Sequence, residues 1–160
     1  MFLYSLLALA VVTALIFAAP LKAKVWATLA VVAAGALWAS ATAVGVLAGG
    51  HTVRLWATDV FLFGSDAGSM DPLSALFALI VSVGAVAAVL YSRGYLAHYL
   101  GRKSPAHISL HYTALATMFY AMLGVVTSEG GFSFLFFWEL MTVASFLLIL
   151  FDAERREVRR

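Results

Sequence analysis

The chain has 160 residues, of which 64% are apolar and 11% charged, with a mean hydropathy of +0.99; soluble domains run at roughly 45–50% apolar and about 25% charged. So few charges cannot cover a globular surface in water, which excludes a soluble enzyme and leaves an integral membrane protein. Cysteine is absent, which also excludes disulfides, thiolate metal sites and iron–sulfur clusters.

Five apolar runs, free of charge but for one residue, follow one another along the chain: 2–19, 25–49, 72–92, 108–127 and 132–151. At a rise of ~1.5 Å per residue each is long enough to cross a hydrocarbon core of about 30 Å as an α-helix. Their apolar character is continuous rather than alternating, which excludes barrel strands. The expected fold is therefore all-α and integral to the membrane, with five transmembrane helices in a single domain over residues 1–160. The first run reads as a span and not as a secretory leader, because no basic residue precedes it and it exceeds the usual apolar core of about 7–15 residues.

Charge placement orients these spans. Lys22 and Lys24 follow the first run, Arg93, Arg102 and Lys103 follow the third, and Arg155, Arg156, Arg159 and Arg160 follow the fifth, whereas the other side holds Arg54 alone. The positive-inside rule makes the side with nine of the ten basic residues cytoplasmic. The N-terminus is then outside and residue 160 inside, with Asp59, Asp66, Asp71 and Glu129 on the outer side. This placement predicts a multi-pass protein of a bacterial or archaeal cell membrane.

Segment 50–70 is the one long outer loop. Its β-branched and aromatic runs, Thr52 to Trp56 and Val60 to Phe63, flank Asp59 and predict a short β-hairpin on the membrane surface. Asp71 and Pro72 read as the N-cap and first residue of the third helix. The cytoplasmic loop 93–107 mixes basic residues with Tyr95 and Tyr99 and suits an anionic lipid surface. His107 and His111, spaced i, i+4, are candidates for proton exchange there; without a carboxylate or cysteine partner they do not make a metal site. Small residues at four-residue spacing (Gly35, Ala39, Ala43 and Ser74, Ala78, Ser82) read as helix-packing ridges.

Glu139 stands apart as the only acidic or basic residue within the five runs. A charge at depth costs at least a few kcal/mol, so such a residue faces a partner or a water-filled path, or takes up a proton. A carboxyl able to do either suits a proton relay, although a neutral, hydrogen-bonded glutamic acid that packs helices fits the same facts. Thr142, three residues on, lies on nearly the same face and is placed to support it. No cation lies within the runs, so an ionised Glu139 needs a counter-charge from outside this segment.

Three stretches resemble a known superfamily: Asp71-Pro72-Leu73-Ser74-Ala75-Leu76-Phe77, Tyr91-Ser92-Arg93-Gly94-Tyr95, and Phe137-Trp138-Glu139-Leu140-Met141-Thr142 with Ala144-Ser145-Phe146. Their order and separation are similar to the N-terminal part of the antiporter-like, proton-conducting membrane subunits of complex I, of formate hydrogenlyase-type membrane hydrogenases and of Mrp cation/proton antiporters. The resemblance runs from about residue 2 to residue 152. It implies that Glu139 is the fifth-helix glutamate that pairs with a lysine two helices further on. It also implies an N-terminal portion, or a split piece, of a larger subunit, since the chain ends before that lysine.

Three functions follow as expectations: a proton-translocating subunit of a redox-driven complex, a subunit of an Mrp-type antiporter, and a structural or assembly segment that moves nothing. Under the first, redox chemistry belongs to other subunits, and no cofactor is expected here because no haem, flavin or cluster ligand set is visible. The expected partners are other membrane subunits, a chain or region that supplies the lysine, and lipid, with no nucleic acid.

Overall fold

A computed structural model describes residues 14, 16–20, 23–60, 64–97, 99 and 103–151. They form α1 (Lys24–Gly49), β1 (Val53–Val60), β2 (Gly64–Met70), α2 (Pro72–Ala97), α3 (Pro105–Thr127) and α4 (Gly131–Leu150). All four helices are long and apolar enough to cross a membrane. They correspond to the second to fifth predicted runs. The first run, 2–19, lies mostly outside the described residues.

Each helix is bounded by local chemistry. Gly50 closes α1 in the left-handed conformation (φ 63°), a region open to glycine at no steric cost, and its N–H returns to the Val46 carbonyl at 2.8 Å. Asp71 opens α2 by accepting the Ser74 N–H at 2.6 Å, with Pro72 as the first helical residue. Two boundaries differ from expectation: α2 continues to Ala97 and α3 begins at Pro105, so residues 93–97 and 105–107 of the predicted loop 93–107 are helical. At the end of α2 the backbone stays helical while Arg93 lies over the Trp26 ring and Tyr95 packs against Tyr99, His111 and Phe151. Ser104 starts α3 early, as an N-cap in extended conformation ahead of Pro105.

The helices pack in sequence order, and α3 also touches α1. Small residues make the approach close, as lipid supplies no hydrophobic drive between helices. Ala39 and Ala43 of α1 and Ala78 of α2 are fully buried. Gly35 leaves room for Tyr120 of α3, whose hydroxyl donates to the Val31 carbonyl at 2.8 Å. Between α3 and α4, the ring of Phe137 occupies the space that a side chain on Gly124 would need. One core joins Val32, Val89, Ile108, Tyr112, Phe119 and Phe151; a second joins Ala43, Val46, Met70, Ala75 and Ala78 beside the sheet.

The two strands pair antiparallel from Val53↔Met70 to Val60↔Gly64, with a bulge between Arg54 and Trp56. Sequence reasoning put the break at Asp59, yet Asp59 lies within β1. It pairs with Ser65, whose hydroxyl donates to its carboxylate at 2.6 Å. The pairing ends instead at Gly64, which takes a positive φ of 77°.

The ends of the bundle differ in charge. One gathers Lys24, Arg93 and Lys103 with Trp26, Tyr99 and Phe151: Arg93 lies 5.3 Å from the Trp26 ring and Lys103 4.6 Å from that of Phe151. The other holds the sheet with Asp66, Asp71 and Glu129. Gly124→Val would force Phe137 out of its seat, and overpacking of this kind costs about 1–3 kcal/mol. Loss of the native fold at lower denaturant in detergent micelles, with wild-type helix content before the transition, is the expected result.

Candidate functional site

Helix α4 packs along α3 and meets β2 at its N-terminal end. Its inward face carries Ser133, Phe137 and Ala144. Its outward face carries Leu135, Trp138, Glu139, Thr142, Val143, Phe146 and Ile149, all exposed. Glu139 comes eight residues after Gly131, about 12 Å along the helix. Its carboxyl makes no hydrogen bond or ion pair among the described residues. The hydroxyl of Thr142 lies on the same face but donates to the Trp138 carbonyl at 3.1 Å rather than to Glu139. The resulting surface is a broad apolar face interrupted by one carboxyl and by one hydroxyl already committed to its own backbone.

The two histidines lie in different surroundings. His107 is exposed, and its Nδ1 lies 2.8 Å from the hydroxyl of Ser104, the N-cap of its own helix. His111, 9% exposed, turns inward against Phe151 and Tyr95, with ring centroids 4.7 and 6.1 Å away, and its Nδ1 is buried without a hydrogen-bond partner. Among the described residues no group of three or more His, Asp or Glu side chains comes together around a metal-sized gap.

Residues that sequence reasoning passed over hold the helix ends. Asp66, 5% exposed, accepts the Ser133 N–H at 2.8 Å through Oδ2 and the Ser133 hydroxyl at 3.0 Å through Oδ1. It therefore caps α4 from 67 positions away. Gly130 occupies the N-cap position, has no side chain to offer, and lies where a Cβ would run into the Asp66 carboxylate. That missing local cap was the available signal: a helix that opens Gly-Gly inside an apolar protein must borrow a cap. The bridge between Gly68 and Ser128, and the bond from the Glu129 N–H to the Ala67 carbonyl at 2.9 Å, fasten the same strand to the α3–α4 turn. At the opposite end the Lys103 ammonium donates to the Phe151 carbonyl just past α4. Likewise Lys24 donates to the carbonyls of Ile16 and Phe17 at 2.9 Å each.

Four apolar helices with exposed apolar faces, and charges near their ends except for Glu139, define a multi-pass membrane protein. No family model matches the chain. Curated relatives do match: the A1 protein of the Na(+)/H(+) antiporter of Staphylococcus aureus is 39% identical over 87 residues, 54% of this chain and 10% of that protein. NAD(P)H-quinone oxidoreductase chain 5 of a Picosynechococcus species is 35% identical over 88 residues, 55% of this chain and 12% of the relative. The mnhA2 antiporter protein of Staphylococcus saprophyticus is 35% identical over 82 residues, 51% of this chain and 10% of the relative. Over about half of its length the chain is thus similar to antiporter-like membrane subunits, both the Mrp-type antiporter proteins and the complex I-type chain 5. It spans about a tenth of the length of the curated relatives that it matches.

Backbone hydrogen bonding from Ser74 is the main cause that holds the Asp71 carboxyl below the usual carboxylate range. A carboxyl lowered on folding stabilises the fold fully above its unfolded value of about 3.9, and that contribution fades as pH falls through the lower folded value. Asp71→Ala should therefore cost about 1 kcal/mol at neutral pH, as N-cap losses do. The gap between variant and wild type should narrow below about pH 4 in unfolding titrations of the detergent-solubilised protein.

Proposed function

We propose that this chain is part of a proton-translocating membrane subunit of the complex I or membrane-hydrogenase type, with Glu139 as a relay carboxylate. The observation that carries the reading is the place of Glu139: the one ionisable side chain in the apolar stretch of α4, on the outward face, with no partner among the described residues. In hydrocarbon such a carboxyl is stable only when protonated or opposite a cation. A group that alternates between those two conditions accepts a proton when the cation withdraws and releases it when the cation returns. The cation, a lysine by resemblance, comes from a segment outside these 160 residues that seats against the outward face of α4. Five spans, an external N-terminus, an external sheet and a cytoplasmic basic end complete the arrangement, in accord with the charge pattern.

A second reading, exchange of a metal cation for protons without electron transfer, is favoured by the similarity to the Na(+)/H(+) antiporter protein of Staphylococcus aureus. The two readings share Glu139 and differ in what drives it.

Glu139→Gln tests the shared part in the assembled complex. Glutamine keeps the shape and hydrogen-bonding reach but cannot ionise, so proton flux in membrane vesicles should fall roughly tenfold or more while the complex still assembles. Wild-type flux in that variant rejects the relay; failure of assembly favours a purely structural segment. In wild-type vesicles, acidification driven by an electron donor supports the redox-coupled reading, and proton release on addition of sodium with no donor supports exchange.

A further inference from the structure

Among the described residues, α4 has two supports. It leans along α3 with one face, and at its N-terminal end it is held by β2. Backbone contacts of Ala67 and Gly68 hold the turn before α4, and one side chain holds the helix itself: the two carboxylate oxygens of Asp66 take two different groups of Ser133, the backbone N–H and the hydroxyl. Oδ1 also accepts the N–H of Ala67, which fixes the carboxylate to its own strand at 2.8 Å. A single bond would allow α4 to swivel about it, but two bonds to two atoms of one residue fix its rotation as well as its depth. Ser133 is fully buried, and Gly130 leaves no room for a side chain between the helix and the carboxylate.

The far side of β2 is fixed as well. Met70 is buried among Ala43, Val46, Ala75 and Ala78 of α1 and α2, so the strand is anchored in the core of the first two helices. Glu139 lies six residues beyond Ser133, about 9 Å further along the axis and about 240° around it. Rotation fixed inward at Ser133 is therefore rotation fixed outward at Glu139.

We propose that Asp66 is the positioning residue for Glu139: its carboxylate clamps Ser133 and so sets the depth and rotation at which α4 presents Glu139. The inference rests on the relay reading for its importance, but its test reads the presentation of Glu139 and not proton flux, so the two fail separately.

The test is the rate at which a hydrophobic carbodiimide adds to the Glu139 carboxyl in native membranes that contain the full-length protein, followed by mass spectrometry of the resulting N-acylurea. Asp66→Ala should change that rate roughly tenfold, in line with the loss of two buried charge-assisted hydrogen bonds. Asp66→Asn keeps an oxygen for the Ser133 N–H and should stay within about twofold of wild type, while Ser133→Ala, which loses only the hydroxyl bond, should fall between. Helix content and membrane insertion are measured in parallel. A wild-type rate in inserted Asp66→Ala overturns the proposal, as does an Asp66→Asn rate equal to that of Asp66→Ala. If Asp66→Ala does not insert, Ser133→Ala decides: an altered rate supports the clamp and an unaltered one overturns it.

Discussion

Hydrocarbon offers no water to a helix end. The first N–H groups and the last carbonyls of a spanning helix must be met by the protein itself or lie at the headgroups, and this chain is arranged around that demand. Asp71 and Ser104 meet it locally at the starts of α2 and α3. Asp66 meets it from a distant strand at the start of α4, Lys103 at its end, and Lys24 for the carbonyls of Ile16 and Phe17. Most of the charged side chains with defined contacts are engaged in this way. They add to the stability of single helices, and they also tie helices to one another, because the longer-range caps cross between elements.

Glu139 differs from these: it is exposed on the outward face of α4, and its carboxyl makes no hydrogen bond or ion pair among the described residues. Its isolation is a product of the packing: Phe137 must turn toward Gly124, and Ser133 toward Asp66, which leaves Glu139 with Leu135, Trp138 and Phe146 on the side away from α3. The rotation of the helix is decided by its buried face, and the exposed face inherits the result.

Much of this was legible in the sequence because the punctuation is strong. Gly49-Gly50, Asp71-Pro72 and the turn before Gly131 stop or start apolar runs within a residue or so of the observed helix ends. Where polar residues did not mean a break, the reading erred: Asp59 belongs to a strand and its carboxylate is satisfied by Ser65 across the pair, and α2 continues through Arg93 and Tyr95, whose side chains pack on Trp26 and on the cluster of Tyr99, His111 and Phe151. The carboxyl of Glu139 was conspicuous as the one charge in an apolar stretch. Thr142 shared its face by spacing alone, and the spacing could not reveal that its hydroxyl bonds the Trp138 carbonyl. Similarly, the i, i+4 spacing of His107 and His111 marked both as candidates for proton exchange but could not reveal that one lies beside the Ser104 cap and the other in an aromatic cluster. Asp66 was invisible as a cap because its partner is 67 positions away.

The exposed carboxyl also bears on how the protein persists in the membrane. Facing lipid, α4 carries a cost of a few kcal/mol at Glu139, a sizeable share of what holds a small domain together. A neighbour that covers that face relieves the cost and, by mass action, stabilises the fold that it binds. A carboxyl so placed makes durability conditional on company: a copy with that face bare is the weaker form, and a covered one the stronger.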